Sequence, residues 1–156
     1  KTDESAQPGY YKVHLKNFDV TAELTTTKRV GLHRYSYPNK SDRKVMLDLG
    51  HILQPNWGHR IVENTIRKID GQTFEGIQKT KGWATDHLIA YRIVFSEPYE
   101  SLTIYSEGEK TEGDELTGKD LKFHFRFSEM TVRRLHRRFR FFRPNPSPLN
   151  AANPPL

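Results

Sequence analysis

The feature that most constrains the fold is the strict alternation of apolar and polar residues in short runs. Residues 121–127 read Leu-Lys-Phe-His-Phe-Arg-Phe, with an apolar side chain at every second position. Because successive side chains of a β-strand point to opposite faces, this period of two is typical of a strand with one buried face. No stretch shows a convincing helical period of 3.6 residues. Strand-like runs also occur at residues 10–15, 20–27, 30–37, 44–49, 60–69, 73–79, 88–95 and 101–105. The sequence therefore predicts an all-β, antiparallel sandwich-type domain.

Turn residues separate these runs. Asp70-Gly71 lies between residues 60–69 and 73–79. An Asp-Gly pair in this position is a strong signal for a β-hairpin whose two turn residues both have positive φ. The cluster Pro38-Asn39-Lys40-Ser41-Asp42 predicts another turn. Residues 107–119 are polar and contain glycines, which predicts a loop there.

The positive charge is concentrated at one end of the chain. Of the net charge of +6, residues 128–156 carry six arginines and one glutamate, a net of +5, which leaves +1 for residues 1–127. A nearly neutral body argues against a nucleic-acid partner, for which the body itself should be basic. The tail is rich in Pro and Asn, and its last part cannot bury enough apolar surface to fold. We predict a β-sandwich at 1–127 and a basic, disordered tail at 128–156 outside the fold.

Other classes of protein are excluded by what the sequence lacks. The absence of cysteine excludes a disulfide framework, a thiol nucleophile and a thiolate metal site. No apolar run reaches the roughly 20 residues of a membrane span. The first five residues are polar and include neither an initiator Met nor the apolar core of a signal peptide. Such a start is expected inside a longer polypeptide, so we expect an incomplete sandwich with open sheet edges and poor solubility.

Three stretches together resemble a known family. The first is Pro8-Gly9-Tyr10-Tyr11-Lys12-Val13, and the second, most specific one is residues 23–35, Glu-Leu-Thr-Thr-Thr-Lys-Arg-Val-Gly-Leu-His-Arg-Tyr. The third is residues 91–99, Tyr-Arg-Ile-Val-Phe-Ser-Glu-Pro-Tyr. In this order and spacing they resemble the N-terminal domain of the family-92 glycoside hydrolases, which are exo-acting α-mannosidases. The resemblance covers roughly residues 5–105.

The resemblance implies a fold and two domains with different roles. In this family a β-sandwich packs against a large helical barrel, which carries the catalytic carboxylates and a calcium ion and inverts the anomeric centre. Such hydrolysis needs two separated carboxyl groups, and in the family these groups lie beyond this chain. We therefore expect no catalytic residue and no cofactor in this chain, which alone is expected to be inactive. The implied partners are the catalytic barrel and mannose-containing glycans, in the periplasm or outside the cell.

The tail departs from the family pattern. Family members continue from the last strand into a further strand and a helix, whereas here an Arg-, Pro- and Asn-rich stretch follows residue 127. This composition is typical of translation in a shifted reading frame. We therefore consider the sequence a fragment whose end comes from a frameshift or an interrupted gene, a hypothesis that an ordered, packed segment 133–156 would contradict.

Four residues are candidates for substrate binding. His33 and Arg34 lie in the stretch with the most specific resemblance, and planar charged groups are common in sugar sites; the alternative is a half-buried strand with cross-strand hydrogen bonds. Trp57 and Trp83 lie in predicted loops, where aromatic side chains favour binding over core packing.

Four other groups are weaker candidates for a functional site. His51 and His59, with Asp48 nearby, are too few for a metal site, which needs three or four converging ligands. Asp86-His87 resembles half of a catalytic pair, but no activated nucleophile accompanies it. The acidic residues of 107–115 lack the full pattern of a calcium loop. The arginine cluster of the tail would bind phosphates as any Arg-rich peptide does.

The predicted function is that of a non-catalytic domain that supports the substrate cleft of an α-mannosidase. The alternative is a freestanding carbohydrate-binding β module. The sequence does not give the linkage preference, because the resemblance implies that the selecting residues lie mostly outside it.

Overall fold

A computed structural model describes residues 3–38, 43–82, 84–128 and 137–141. Within these residues the chain is built from β-strands joined by turns, and short 3-10 turns occur at Lys16–Phe18 and Pro55–Trp57. In chain order the strands are β1 Glu4–Gln7, β2 Tyr10–Leu15, β3 Val20–Thr26, β4 Val30–Ser36, β5 Arg43–Asp48, β6 Arg60–Lys68, β7 Thr73–Lys81, β8 His87–Val94, β9 Ser101–Ser106, β10 Glu109–Thr111, β11 Glu115–Gly118, β12 Leu121–Phe127 and β13 Arg137–Phe141. The predicted all-β class is confirmed.

The described strands form two antiparallel sheets. The larger sheet has the order β1-β2-β3-β4-β13-β8-β7-β6-β11, and the smaller sheet has the order β10-β9-β12-β5. Every pairing is antiparallel. No helix in the described residues is long and apolar enough to cross a membrane.

The hydrophobic core lies between the smaller sheet and the β8-β7-β6-β11 half of the larger one. The alternation in β12 buries Leu121, Phe123, Phe125 and Phe127 on one face and leaves the residues between them more exposed. Phe125 contacts Phe95 with ring centroids 4.6 Å apart and packs against further rings of both sheets. Aromatic pairs of this kind add to the free energy that burial alone provides. The run at 121–127 therefore builds the centre of the core, as its pattern predicts.

One buried polar residue connects the two sheets at the edge of this core. Asn64 of β6 is fully buried and donates hydrogen bonds to the carbonyl oxygens of Leu49, at 3.0 Å, and Lys119, at 2.9 Å. Gln78 of β7 donates to the Asn64 side-chain oxygen at 2.9 Å and to the Leu49 oxygen at 3.2 Å. These bonds fix the point where the chain leaves the smaller sheet for the 49–59 connection. Removing them would leave buried carbonyl groups unsatisfied.

The turns differ from the prediction in an informative way. β6 and β7 form the predicted hairpin around Asp70-Gly71, but neither residue has positive φ. Instead the Asp70 carboxylate accepts the Gln72 backbone N–H at 2.7 Å, and the Thr73 oxygen accepts the Ile69 N–H at 2.9 Å. The longer connection allows a turn without left-handed residues, so the predicted turn type is wrong.

A turn with two positive φ values occurs in the segment predicted to be a loop. Between β9 and β10, Glu107 has φ of 51° and Gly108 has φ of 89°, which is the requirement of a two-residue hairpin of type I′. The 107–119 segment therefore contains strands β10 and β11 rather than a continuous loop. These strands are short and polar, so the alternation of apolar residues did not reveal them.

The first four strands form the other half of the larger sheet, and they bury little. Pro8-Gly9 joins β1 to β2, and Gly9 has φ of 79°, a value that the second turn position requires. Among the described residues of β1–β4, Val20 and Ala22 are buried and the remaining side chains are partly or fully exposed. This half is therefore not stabilised by a large apolar core.

Strand β13 differs from the predicted domain boundary, which placed residues 128–156 outside the fold. Arg137–Phe141 pairs with β4 on one side and β8 on the other. The sequence Arg138-Phe139-Arg140-Phe141 itself alternates, and it places the phenylalanines in register with the buried residues Ile93 and Tyr91. The rest of the predicted tail lies outside the described residues, so its predicted disorder stays a prediction.

Candidate functional site

A cleft of about 1220 Å³ opens between the smaller sheet and the first strands of the larger one. One wall is the face of β5, β12 and β9 that points away from the aromatic core, with Met46, His124 and Thr103 side by side in the register. The other wall carries Tyr35 and the connection between β2 and β3, including Phe18. The alternation that buries one face of β12 thus supplies the polar and aromatic lining of the cleft with its other face.

Large apolar side chains are exposed inside the cleft. Phe18 is 75% exposed and Met46 is 55% exposed, and both line the cleft. The Tyr37 hydroxyl donates a 2.7 Å hydrogen bond to the Lys44 carbonyl, which ties the end of β4 to the edge strand β5. Concave surfaces that combine aromatic and polar groups are typical of binding sites. The cleft is therefore the feature of the described chain best suited to receive another molecule or domain.

Cationic and aromatic groups are interleaved in the cleft. Tyr105 and His124 meet edge to face, with ring centroids 5.4 Å apart. Lys16 and Arg126 line the cleft while their charged ends reach carboxylates, Lys16 with Asp3 at 2.7 Å and Arg126 with Glu100 at 3.7 Å. The cleft therefore offers aromatic surfaces and hydrogen-bond donors rather than a catalytic pair of carboxylates.

The candidates His33 and Arg34 lie on opposite faces of β4, because consecutive residues of a strand alternate. His33 shares a face with Tyr35, and a 3.0 Å hydrogen bond joins its Nδ1 to the Tyr35 hydroxyl. Burial lowers the pKa of His33, which favours the neutral imidazole. His33 thus supports a side chain that lines the cleft.

Arg34 is held on the other face by an ion pair. Its Nε and a terminal nitrogen each donate a 2.6 Å hydrogen bond to the Glu23 carboxylate, which lies directly opposite on β3. Tyr10 donates a third hydrogen bond to the same carboxylate at 2.6 Å. The bonds from Arg34 and Tyr10 lower the pKa of Glu23 to about 2. This geometry matches the cross-strand alternative that was weighed for Arg34.

Of the two tryptophan candidates, only Trp57 lies within the described residues. Trp57 lies in the 3-10 turn before β6 and is 60% exposed. Gln54 and Gly58 flank this turn with positive φ values of 59° and 77°. Trp83 lies outside the described residues. Substrate binding by all four candidates stays a prediction.

The histidines weighed as metal ligands meet in a second, smaller pocket. His51 and His59 both line it, and His87 joins them from the start of β8. Asp48 does not line this pocket, and the described residues contain no group of three or more His, Cys, Asp or Glu side chains arranged to hold a metal ion. Asp86 and His87 have separate partners, since Asp86 faces Lys79 at 4.0 Å and His87 lies 3.4 Å from the Thr80 hydroxyl.

The acidic segment does not fit a calcium ion. Calcium needs six to eight converging oxygen ligands. The Glu107 carboxylate instead accepts the backbone N–H groups of Lys119, at 2.7 Å, and Asp120, at 2.9 Å. The N–H groups of Asp120 and Lys119 lower the pKa of Glu107. The Glu107 carboxylate is thus engaged by backbone donors of its own segment.

Most residues of the cleft were not among the predicted site residues. Phe18, Tyr35, Met46, Tyr105 and His124 come from five separate segments that only the fold brings together. The available signal was the set of large side chains at the solvent-facing positions of alternating strands, such as Met46 and His124. The pairing of β5, β12 and β9, which places these positions together, could not be deduced from one sequence.

Comparison with known proteins agrees with this architecture. Residues 1–139 match the glycosyl hydrolase family 92 N-terminal domain. No curated protein matches the chain at a significant level. Among solved structures, the fold is similar to a family GH92 α-mannosidase from Bacteroides thetaiotaomicron, with a TM-score of 0.79 and 24% identity over 90% of this chain and 20% of that one. It is also similar to an inverting mannosidase of the same family from Bacteroides thetaiotaomicron VPI-5482, with a TM-score of 0.72 and 19% identity over 90% of this chain and 18% of that one.

The relatives are much longer than this chain. A further structure, described as a glycosyl hydrolase of family GH92, aligns with a TM-score of 0.75 and 18% identity over 90% of this chain and 20% of its own length. The chain thus spans about a fifth of the solved relatives that it matches. Because the family match runs through most of the sequence, the chain belongs to the glycosyl hydrolase family 92 N-terminal domain family.

Proposed function

We propose that this chain is the non-catalytic N-terminal domain of an α-mannosidase, and that it packs on a helical catalytic barrel and helps to form the sugar-binding cleft. The observation that carries the proposal is the cleft of about 1220 Å³ with its exposed apolar groups Phe18 and Met46. Exposed apolar side chains inside a concave surface are typical of a contact site for another molecule or domain. The family match supports the identity of the missing partner.

The length of the relatives supports a partner in the same polypeptide. The domain aligns with about a fifth of each of the solved mannosidases, and one of these enzymes was solved with mannoimidazole bound. In this proposal the catalytic carboxylates and the calcium ion belong to the barrel. The enzyme acts on mannose-containing glycans in the periplasm or outside the cell.

The first experiment is to sequence the gene on both sides of this segment. The proposal expects flanking DNA that encodes further strands and a helical barrel, in frame or one base off. The longer protein should release mannose from an aryl α-mannoside, whereas this chain alone should not. A start codon and a stop codon directly bracketing these residues would contradict the proposal.

A second experiment tests the docking surface in the longer protein. Phe18→Asp places a charge in the cleft, so it should lower the thermal midpoint and the mannosidase activity together if a barrel covers this surface. Ile69→Asp, at the exposed tip of the β6–β7 hairpin, is the matched control and should change neither. Equal effects of the two variants would place the interface elsewhere.

A freestanding carbohydrate-binding module is the second candidate, because the cleft is lined by several aromatic rings, among them Tyr35, Tyr105 and Phe18. Sugar rings stack on such surfaces, and the exposed Trp57 provides another. Titration of the chain with mannose or mannobiose, followed by tryptophan fluorescence, distinguishes the two candidates. Saturable quenching that Trp57→Phe removes favours the module. No response of the tryptophans and no change in the fluorescence of the cleft tyrosines favour the supporting domain.

A further inference from the structure

The second pocket, of about 420 Å³, has an unusual charge. It lies where β6 begins and β7 ends, next to the 49–59 connection, and it shares no lining residue with the large cleft. Arg60 and Lys81 line it together with His51, His59 and His87. None of its described lining residues is Asp or Glu. Every titratable group of the described lining is thus either a cation or able to become one.

Arg60 and Lys81 lie directly opposite each other on β6 and β7. Like charges in this position destabilise a strand pair. Within the described residues neither cation forms an ion pair. Elsewhere in the sheet, Arg67 lies 3.6 Å from Glu75, which also contacts Arg92. Arg60 and Lys81 therefore form a local excess of positive charge that a bound anion would neutralise.

The pocket is also shaped by specific contacts. A Cβ atom at Gly82 would lie 2.6 Å from Cδ2 of His59, so the absence of a side chain there lets the ring pack against the backbone. The Thr80 hydroxyl lies 3.4 Å from Nδ1 of His87. The bonds from Asn64 and Gln78 to the Leu49 oxygen fix the start of the connection that carries His51 and His59. His59 is thus held against the Gly82 backbone, whereas His51 and His87 are exposed.

We propose that this pocket binds an oxyanion, a phosphate or sulfate group carried on a small ligand. The guanidinium of Arg60 can donate two parallel hydrogen bonds to such a group, and Lys81 adds a compact positive charge. The imidazoles add N–H donors. The volume lies within the range of small-molecule sites, roughly 300 to 1000 Å³, and exceeds what a free ion needs. The site is independent of mannosidase activity and of the surface proposed for docking.

The test uses the chain as it is, with the histidine Cε1–H signals followed by NMR. Inorganic phosphate, a hexose 6-phosphate and the neutral hexose are titrated at constant ionic strength against sodium chloride. The proposal expects saturable shifts of the His51, His59 and His87 signals with the phosphates and none with the neutral sugar. Saturation by inorganic phosphate alone would assign a free-anion site, and tighter binding of the hexose phosphate would assign a site for the ester.

Charge-neutralising variants locate the site. Arg60→Gln and Lys81→Gln should each weaken phosphate binding about tenfold, since each removes a charge-assisted contact. Lys110→Gln, on the exposed strand β10, is the matched control and should leave binding unchanged. Shifts that do not saturate, that chloride reproduces, or that survive both pocket variants would overturn the proposal.

Discussion

The two halves of the larger sheet share one ladder of backbone hydrogen bonds but are stabilised in different ways. In the β6–β8 half, Ile66, Phe74 and Ile93 are at most 4% exposed and lie under the aromatic residues of the smaller sheet. In the β1–β4 half, Val20 and Ala22 are the buried residues among those described. Apolar burial therefore stabilises one half, and the other depends on specific polar contacts and on its neighbours.

The polar contacts of the β1–β4 half are concentrated at one position. Glu23 accepts hydrogen bonds from Arg34 and Tyr10, and its side chain is only 14% exposed. Ion pairs of this kind contribute less than a buried aromatic cluster. Segments with few buried contacts open locally at lower free energy than the core. We therefore expect the half bordering the large cleft to be the less stable one, as a surface that another domain completes would be.

The largest expected effect comes from removing the centre of the core. Phe125→Ala should lower the free energy of unfolding by about 3 to 5 kcal/mol, because the ring is fully buried among other rings. Phe18→Ala, in the other half, is the matched control and should change stability by less than about 0.5 kcal/mol. Urea unfolding followed by circular dichroism measures both. Comparable losses would show that the halves do not differ.

Truncation after Ser128 tests the role of β13 and the domain boundary together. Removing the strand that pairs with β4 and β8 should cost about 3 kcal/mol, since hydrogen bonds on both sides are lost and the released chain entropy offsets only part of them. The loss should concentrate in β1–β4, which is measurable by hydrogen exchange. An unchanged midpoint and exchange pattern would instead support the boundary at residue 127 that the sequence predicts.

The polar link at the edge of the core should show a smaller effect. Asn64→Ala should cost about 2 kcal/mol, because the Leu49 and Lys119 carbonyl groups lose a buried donor. Gln78→Ala should cost less, since Asn64 still satisfies the Leu49 oxygen. Thermal unfolding of the two variants and of the double variant gives the coupling between them. A larger loss of stability in Gln78→Ala than in Asn64→Ala would contradict the prediction that Asn64 is the more important donor.

The Glu23 contacts predict a pH dependence specific to the β1–β4 half. The folded pKa of about 2 lies below the ordinary value of 4.5, so the stabilisation is complete above pH 4.5 and is lost as the pH falls towards 2. Glu23→Gln should cost about 1 kcal/mol at neutral pH and remove this part of the acid sensitivity. The acid sensitivity due to Glu107, whose pKa is also lowered, should remain. Unfolding curves of the wild type and of Glu23→Gln between pH 2 and pH 7 measure this difference. The same pH dependence of stability in both proteins would show that Glu23 is not its source.

The smallest expected effect is an increase in stability from a substitution in the core. The Tyr91 hydroxyl is buried without a hydrogen-bond partner among the described residues, and burial raises the pKa of this phenol. Tyr91→Phe removes an unsatisfied polar group, so it should increase stability by about 0.5 kcal/mol. A clear loss in urea unfolding would reveal a partner for this hydroxyl outside the described residues.

Sequence alone predicted the strands that bury an apolar face, and it failed where strands are polar. β2 and β12 have the predicted bounds, whereas β1 and β10 are missing from the prediction because nearly all their residues are polar and exposed. β13 was missed because its arginines indicated a solvated tail, although its phenylalanines alternate. The formation of β1, β10 and β13 depends on hydrogen bonds to neighbouring strands rather than on an alternation of apolar and polar residues in their own sequence.

The candidate site was predictable only in part. Because side chains alternate along β4, the sequence already implied that His33 and Arg34 lie on opposite faces. This alternation argued against a single site containing both residues. The partner of Arg34 could not be predicted, because Glu23 lies opposite it only in the observed register. The same is true of the cleft, whose residues converge through pairing between distant segments.

Native-state hydrogen exchange of the intact chain tests the difference between the halves most directly. The account predicts that amides of β6–β8 and β12 exchange only through global unfolding, whereas those of β2–β4 exchange faster through local opening and speed up further when the pH falls below 4.5, after correction for the intrinsic rate. Equal protection in both halves, with no additional opening of β2–β4 in acid, would contradict it.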